Sequence, residues 1–145
     1  MNASVLVVDD EPTFRLLAEE ALTAEGFDVR TASRLSEAKA LAEASTPDVL
    51  ILDRRLPDGD GLDVLRGLRP DGTRTTVAIV VTAYGDVESA VEALKAGAAD
   101  YLTKPIQLTD LVVKLRKVLE ARGLRDQLAL ARTQAFGPPT GDPSS

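Results

Sequence analysis

The sequence predicts an α/β fold in which five parallel strands form a sheet covered by helices on both faces. Short apolar runs alternate five times with segments whose apolar residues recur at helical spacing. The runs are continuous rather than alternating in polarity, which is typical of strands buried on both faces of a parallel sheet. Right-handed helical crossovers would join them. With 145 residues, the chain has the size of one domain with a core of its own.

The first two strand–helix units show the pattern in its simplest form. Pro12 follows the first apolar run and suits the first turn of a helix, because its missing N–H costs little there. Gly26 ends this helix. Ser33 begins the second helix, and Thr46-Pro47 ends it. The two predicted strands are residues 4–8 and 27–32.

The remaining three units repeat this order. The central strand, residues 49–52, delivers Asp53 to the start of a turn-rich loop, and the helix that follows ends at Pro70-Asp71-Gly72. Tyr84-Gly85-Asp86 opens the fourth helix and Gly97 closes it. The other two strands are residues 77–81 and 99–102, and the fifth helix has an apolar stripe from Leu108 to Leu119.

The chain beyond a folded domain of residues 1–120 is predicted to be a helical extension and a tail. Arg122-Gly123 interrupts the apolar pattern of the fifth helix, and glycine in a helix interior costs about 1 kcal/mol relative to alanine. We interpret residues 121–135 as an extension that pairs with a second copy of the chain. Residues 136–145, rich in proline and glycine, should be disordered. The seam-like positions of the extension are Leu124, Leu128, Ala131 and Ala135.

The composition excludes several classes of function. The chain has no cysteine and no histidine, which removes disulfides, zinc–thiolate sites, histidine bases and a phosphohistidine on this chain. A net charge of −6 argues against direct binding of nucleic acid and favours a hard cation or a basic partner. No apolar run is long enough for a membrane span and no secretory signal begins the chain, so we expect a cytoplasmic protein.

Polar residues suited to chemistry follow four of the five predicted strands. In parallel sheets, ligands bind in the crevice outside the carboxyl ends of the strands. Carboxylates that meet there repel one another, so at least one pKa should rise unless a divalent cation binds. Magnesium suits oxygen ligands and needs only one or two carboxylates beside a phosphate. The polar residues that follow the four strands are Asp9, Asp10, Asp53, Thr82 and Lys104.

These residue types together indicate phosphoryl transfer to a carboxylate. Asp53 would be the nucleophile, and magnesium and the ammonium of Lys104 would balance the charge of the transferring oxygens. The hydroxyl of Thr82 could donate a hydrogen bond to a phosphoryl oxygen. The phosphoryl group would add roughly −1.5 to −2 charge, enough to pull Thr82 and its loop inward.

Each residue also has a purely structural interpretation. Asp10 could cap a helix and Asp53 could be a turn residue. Thr82 could be a satisfied strand-end hydroxyl and Lys104 a solvated charge, while Tyr101 could be a half-buried strand aromatic. Their joint occurrence at the strand ends favours the functional interpretation. Three further acidic residues, Asp58, Asp60 and Asp86, are assigned to turns and caps.

Four segments carry a resemblance to a known family. They are Val7-Val8-Asp9-Asp10-Glu11, Leu52-Asp53 with Leu56-Pro57 and Asp60-Gly61, Val81-Thr82-Ala83, and Asp100-Tyr101-Leu102-Thr103-Lys104-Pro105. In this order and at these spacings, over about residues 3–120, they resemble the receiver domain of bacterial two-component response regulators.

The resemblance implies a flavodoxin-like (βα)5 fold with strand order 2-1-3-4-5 and a C-terminal helical extension. It implies a signalling switch that catalyses only its own phosphorylation and dephosphorylation. Asp53 would accept a phosphoryl group from a histidine kinase, and Lys104 would bind the phosphate. Thr82 and Tyr101 would be a coupled switch pair that changes the face formed by residues 84–119, and this face would control a downstream partner or output domain.

The resemblance also implies a magnesium site and a subgroup. Asp10 and Asp53 would bind Mg²⁺ directly and Asp9 through water, with the main-chain carbonyl of Arg55 as a further ligand. Arg55 and residues 83–91 look most like nitrogen-regulation-type activators of the alternative sigma factor, in which an ATPase and a DNA-binding domain follow the receiver. No Walker A lysine follows here, so we expect a fragment or a stand-alone receiver.

Three alternatives have the same or a related fold. A pseudo-receiver would be an interaction module without phosphorylation, which the intact set of five polar residues disfavours. A flavin carrier would need hydroxyls and glycines in its first loop, where this chain has Asp9-Asp10-Glu11-Pro12. A metal-dependent phosphohydrolase would need a second acid where Arg55 stands.

Overall fold

The computed structural model describes residues 2–68, 76–83 and 85–136, without the side chains of residues 125–126, 129–130 and 132–136. In chain order, its strands are β1 (Ser4–Val8), β2 (Asp28–Ala32), β3 (Val49–Asp53), β4 (Arg55–Leu56), β5 (Gly59–Asp60), β6 (Val77–Thr82) and β7 (Asp100–Thr103). The helices are α1 (Pro12–Ala24), α2 (Leu35–Ala44), α3 (Leu62–Gly67), α4 (Val87–Lys95) and α5 (Leu108–Phe136).

Five of the strands form one sheet in the order β2-β1-β3-β6-β7, and every neighbouring pair is parallel. β4 and β5 pair only with each other, as a short antiparallel hairpin just after β3. Without this hairpin, the order of the main strands is the predicted 2-1-3-4-5, which confirms the flavodoxin-like arrangement. Because the strands are parallel, their carboxyl ends all meet at one edge of the sheet.

The core has a layer on each face of the sheet, because successive side chains of a strand point to opposite faces. On one face, Val7, Ile51 and Ile79 pack with Leu22 of α1 and Leu115 of α5. The other face is covered by α2, α3 and α4. That layer contains Leu6, Leu50, Ala38, Val64, Val80 and Ala93. Burial on both faces explains why the strands appear in the sequence as continuous apolar runs.

Turn and capping residues bound the helices largely as predicted. Pro12 lies in the first turn of α1. Gly26 and Gly97 follow α1 and α4 with φ of 96° and 107°, a backbone conformation that favours glycine. Asp86 caps α4 by accepting a hydrogen bond from the backbone N–H of Ser89 at 3.0 Å. The predicted starts of β2, β7 and α2 are wrong by one or two residues.

The cap of α2 comes from a distant part of the chain. Asp58, in the turn between β4 and β5, accepts hydrogen bonds from the backbone N–H groups of Leu35 at 2.6 Å and Ser36 at 3.0 Å. These bonds hold the pKa of Asp58 below its usual value, and the bond from Ser36 makes the largest contribution. The assignment of Asp58 to a turn or cap is therefore correct, and the structure adds which helix it caps.

The predicted helical extension at the C-terminus is confirmed. α5 continues through Gly123 to Phe136. Its Arg122 donates a hydrogen bond from Nη1 to Asp48 Oδ1 at 3.1 Å, and Asp48 Oδ2 accepts another from the backbone N–H of Ser4 at 2.8 Å. This ion pair ties α5 to the sheet beside Gly123, and tertiary contacts of this kind offset the roughly 1 kcal/mol that glycine costs a helix. The division of the chain at residue 120 stays a prediction.

Some predictions concern residues that the structure does not describe. These are the break at Pro70-Asp71-Gly72, the part of Tyr84 in opening α4, and the tail from residue 137 onwards. Among the residues that are described, no helix combines the length and the hydropathy that crossing a bilayer requires.

Candidate functional site

The polar residues singled out in the sequence lie together at the carboxyl edge of the sheet. Asp9 follows β1, Asp53 ends β3, Thr82 ends β6 and Lys104 follows β7. Asp9, Asp53 and Thr82 are buried, with Asp9 only 1% exposed, whereas Asp10 is exposed. Charged side chains are seldom buried in this way unless they are paired or bind a ligand.

The three carboxylates can face a single cation. Asp9, Asp10 and Asp53 each offer one oxygen, and these oxygens lie within 4.8 Å of one another. Asp9 Oδ1 accepts a hydrogen bond from the backbone N–H of Glu11 at 2.9 Å, and Asp53 Oδ1 accepts one from the backbone N–H of Arg55 at 3.0 Å. Oxygen donors arranged in this way suit magnesium.

The structural alternative for Asp10 is wrong. The N-cap residue of α1 is Glu11 and not Asp10, and the Glu11 side chain makes no capping hydrogen bond. The exposed carboxylate of Asp10 therefore stays available at the rim of the site. Because Asp9 and Asp53 are buried, a hydrated cation that enters from solvent would meet the carboxylate of Asp10 first.

Lys104 bridges two of the carboxylates. Its Nζ lies 2.8 Å from Asp53 Oδ2 and 3.7 Å from Asp9 Oδ2. The backbone N–H of Lys104 donates to the carbonyl oxygen of Thr82 at 2.9 Å, which extends the pairing of β6 and β7 and fixes the start of the side chain. Burial alone would lower the pKa of Lys104, but the hydrogen bond to Asp53 and the nearby carboxylates together raise it. Lys104 is thus a paired cation and not a solvated charge.

Asp9 is the carboxylate whose pKa rises. Burial is the largest cause and, with the charges of Asp53 and Asp10, raises the pKa of Asp9 from 3.8 to about 6. The hydrogen bond from Glu11 and the charge of Lys104 act in the opposite direction. The expectation that at least one pKa in the cluster rises is therefore met.

The Asp9→Asn variant should be more stable than the native protein at neutral pH when magnesium is absent. The carboxyl group of Asp9 binds its proton more tightly in the folded protein than in the unfolded chain. Its contribution to the free energy of unfolding is therefore fully present below pH 3.8 and is lost as the pH rises through about 6. An uncharged amide avoids this loss. Urea unfolding in a chelator should give a gain of about 1–3 kcal/mol at pH 7.5 and almost none at pH 4.

The exposed carboxylate Asp28 on β2 provides the matched control, because Asp28→Asn changes the same group outside the cluster. A gain for Asp9→Asn that is the same at both pH values would contradict the assignment of the raised pKa to Asp9.

A cavity of about 190 Å³ opens beside these residues. Asp10, Asp53, Thr82 and Lys104 all line it. Thr82 Oγ1 is buried and has no hydrogen-bond partner among the described residues, so the interpretation of Thr82 as a satisfied hydroxyl is wrong. A buried hydroxyl without a protein partner is uncommon, and the cavity beside it leaves room for a water or ligand oxygen to complete its bonding.

Comparison with known proteins places this arrangement in a family. The sequence model of the response regulator receiver domain matches residues 5–116, from β1 to α5. This chain belongs to the response regulator receiver family. It is therefore a signalling domain of the two-component type. Receivers of this family generally bind Mg²⁺, and they work with histidine kinases and output domains.

Curated relatives of this receiver include regulators of transcription. It is 42% identical over 121 residues to the probable transcriptional regulatory protein TcrX of Mycobacterium tuberculosis. This alignment covers 83% of this chain and 51% of TcrX. It is 37% identical over 124 residues to the regulatory protein AtoC of Escherichia coli, which covers 86% of this chain and 27% of AtoC. The receiver thus spans between about a quarter and a half of these relatives.

Solved structures agree with both the fold and the subgroup. NtrX from Brucella abortus superposes with a TM-score of 0.83 at 30% identity, over 92% of this chain and 31% of NtrX. A CheY-like receiver from Methanospirillum hungatei superposes with a TM-score of 0.77 at 30% identity, over 86% of this chain and 99% of that chain. NtrX and AtoC are among the matches, in line with the resemblance to nitrogen-regulation-type receivers.

Tyr101 lies apart from the cavity of this receiver. It pairs with Val80 in the β6–β7 register, while Thr82 pairs with Thr103, so Tyr101 and Thr82 are on the same face of the sheet. Its carbonyl oxygen accepts a hydrogen bond from Lys114 Nζ at 2.9 Å, and the same Nζ is 5.6 Å from the centre of its ring. The tyrosine is half-buried, and its part in a switch stays a prediction.

Arg54 is the residue of this site that the sequence analysis missed. Its guanidinium contacts Asp60 Oδ2 at 2.6 Å, Glu92 Oε1 at 2.7 Å and Ser89 Oγ at 3.1 Å. The hydrogen bond from Arg54 lowers the pKa of Asp60. The contact with Asp60 could have been predicted, because Arg54 directly follows Asp53 and Asp60 lies six positions after Arg54. No local pattern indicates the contact with α4, 38 residues away.

Gly61 lies against the backbone of Asp53. A Cβ at position 61 would overlap the carbonyl oxygen of Asp53, so only glycine fits there. We expect Gly61→Ala to lower the free energy of unfolding by about 2–3 kcal/mol, since the clash is with backbone that cannot rotate away.

Gly67→Ala is the control for this substitution, because a Cβ at position 67 meets nothing within 4 Å. It should leave the stability unchanged or raise it by roughly 0.4–1 kcal/mol. Urea unfolding of the two variants provides the measurement, and equal stabilities would contradict the close contact at Gly61.

Proposed function

We propose that this receiver accepts a phosphoryl group on Asp53 from a histidine kinase in a magnesium-dependent reaction. The surroundings of Asp53 are the observation that supports this role best. Its carboxylate is buried at a strand end, with Lys104 at 2.8 Å, two other carboxylates beside it and the unpartnered hydroxyl of Thr82 in the same cavity. A turn residue would have no need of a paired cation, a cavity and a buried donor that has no partner among the described residues.

Each residue has a distinct part in the transfer. An Asp53 carboxylate oxygen forms a bond to phosphorus, and the bond to the donor breaks with its electron pair leaving on the donor. Lys104 pairs with the negative oxygens of the group in transfer, and Thr82 donates its hydroxyl hydrogen to one of them. Arg55 keeps Asp53 Oδ1 oriented through its backbone N–H.

Magnesium would be held by Asp9, Asp10 and Asp53, with the main-chain carbonyl of Arg55 as a further ligand. The bound ion supplies charge neutralisation for the phosphoryl oxygens. The donor set fits, because three oxygens within 4.8 Å of one another form a hard, anionic site that has one lysine to offset its charge.

Labelling with a small phosphodonor tests the proposal. Acetyl phosphate should add one phosphoryl group in the presence of millimolar Mg²⁺ and none in excess chelator, as read by intact mass. Labelling that is equal with and without the metal would contradict the mechanism. Absence of both labelling and magnesium binding would favour the pseudo-receiver, an interaction module of the same fold.

We place the output of the switch on α4, β7 and α5, within residues 84–119. Apolar side chains of α4 are exposed there, with Val87 71% exposed and Val91 and Leu94 each 44% exposed. They recur on one side of the helix at spacings of four and three, as in helices that bind a partner. Control of a downstream partner or output domain, in the cytoplasm, is the function that follows. The net charge of −6 gives no support to direct binding of nucleic acid by this chain.

The extension of α5 is the proposed dimer contact. Leu124 and Leu128 are four residues apart and are 58% and 57% exposed, on a helix that continues past the folded domain. Sedimentation of the full chain should give a dimer, and a chain that ends at Leu119 should sediment as a monomer. Monomer mass for both chains would contradict the contact.

A further inference from the structure

The side chain of Arg54 lines two neighbouring spaces. The cavity of about 190 Å³ that contains Asp53 lies on one side, and a larger groove of about 680 Å³ lies on the other. Four residues line both spaces, namely Arg54, Arg55, Asp86 and Ser89. Asp53 lines only the inner cavity and Glu92 only the outer groove. Arg54 thus forms part of the wall between the acceptor and a groove open to solvent.

One guanidinium spans the gap between a loop and a helix. On the loop side, Nε and Nη2 of Arg54 contact the two carboxylate oxygens of Asp60 at 3.2 and 2.6 Å. On the α4 side, Nη1 contacts Glu92 Oε1 at 2.7 Å and Ser89 Oγ at 3.1 Å. The side chain is only 15% exposed. A planar group with five donors can make these contacts together, which an ammonium cannot do.

The opposite side of the same loop is already fastened. Asp58 is bound to the first N–H groups of α2, and a Cβ at Gly59 would lie 2.9 Å from the side chain of Leu35. The loop after Asp53 therefore has little room to move toward α2. Among the described contacts, those of Arg54 with Ser89 and Glu92 are what hold the loop to α4.

We propose that Arg54 is a positioning residue that closes the acceptor cavity toward the outer groove and so limits the access of water from that groove to phosphorylated Asp53. This proposal rests on the proposed phosphorylation of Asp53. In the hydrolysis, a water oxygen bonds to phosphorus and the bond between phosphorus and the Asp53 oxygen breaks. The electron pair returns to the carboxylate, and the water protons pass to the released phosphate and to solvent. Arg54 takes no part in these bond changes.

Loosening the bridge should shorten the lifetime of the phosphoryl group. Glu92→Ala removes the charged contact with α4 and leaves Asp60 in place, so we expect hydrolysis roughly two- to fivefold faster. Arg54→Ala removes both contacts and the bulk of the wall, so we expect roughly tenfold faster hydrolysis. Arg54→Lys keeps the charge but holds one partner at a time, and its rate should lie between those of the native protein and Arg54→Ala.

The measurement is the loss of the phosphoryl group after acetyl phosphate has been removed from the full chain. Glu88→Ala is the matched control, since Glu88 is an exposed acid on the same helix that lines the outer groove without a described contact to Arg54. Magnesium affinity is measured for every variant, because a general disturbance of the fold would weaken it and a change in the wall would not. Added salt should shorten the native lifetime toward that of Glu92→Ala.

The outcomes separate this proposal from the one on which it rests. If the native chain takes up no phosphoryl group, the proposed acceptor fails. If it is labelled, and Glu92→Ala hydrolyses at the rate of Glu88→Ala, the positioning role of Arg54 is overturned. Should Arg54→Ala fold poorly, Glu92→Ala decides the matter alone. Faster hydrolysis in Glu92→Ala with unchanged magnesium affinity supports the role.

Discussion

The Asp53→Asn variant is expected to take up no phosphoryl group from acetyl phosphate at any magnesium concentration. Asparagine has nearly the same shape and can still accept the hydrogen bond from Arg55, but its amide is not a nucleophile at neutral pH. The loss should exceed roughly a hundredfold, because no second group takes over the reaction. Intact mass after incubation with the donor provides the measurement.

The control for this variant is Asp63→Asn. Asp63 is an exposed acid that forms an ion pair of 3.3 Å with Arg66 on α3, away from the site, and its loss should leave labelling unchanged. Peptide mapping of the native protein should place the phosphoryl group on the peptide that contains Asp53. Native-level labelling of Asp53→Asn, or a group mapped to another acid, would remove Asp53 from the mechanism.

The Lys104→Gln variant is expected to have two effects of opposite sign. Phosphorylation should slow by roughly a hundredfold, because the charge aimed at the phosphoryl oxygens is lost. Magnesium should bind more tightly, because Lys104 lies 2.8 Å from Asp53 and 3.7 Å from Asp9 and offsets the carboxylates that attract the ion. Labelling rates and a magnesium titration by a spectroscopic probe measure the two effects.

An exposed lysine of α5 provides the comparison. Lys117→Gln removes the same charge far from the cavity and should change neither quantity. Weaker magnesium binding in Lys104→Gln would show that Lys104 supports the metal site instead of competing with it. Unchanged labelling would remove Lys104 from the transfer step.

The fold and the acceptor site could be predicted because both depend on local patterns. Val5 to Val8 and Val49 to Leu52 are buried on both faces, so each strand had to be a continuous apolar run. Parallel strands bring their carboxyl ends to one edge, so a polar residue after each run, such as Asp53 or Lys104, was placed in space by its position in the chain.

The contacts that were missed join residues far apart in the sequence. Arg54 reaches Glu92 across 38 positions, Asp58 reaches Leu35 across 23, and Arg122 reaches Asp48 across 74. A charged residue has many partners of opposite sign in an acidic chain, and periodicity does not select among them. The helical extension past Gly123 was predicted, but the ion pair that ties it to the sheet beside the glycine was not.

The sequence by itself determined the order of strands and helices, the family of the chain and the set of residues around Asp53. It could do so because strands buried on both faces appear as continuous apolar runs, and helices buried on one face have apolar residues at helical spacing. Only the tertiary structure decided that the pKa of Asp9 is raised, that Thr82 Oγ1 has no partner within the described part of the chain and that Arg54 joins the loop after Asp53 to α4. These properties depend on distances and burial among side chains from different elements, which become defined when the elements pack.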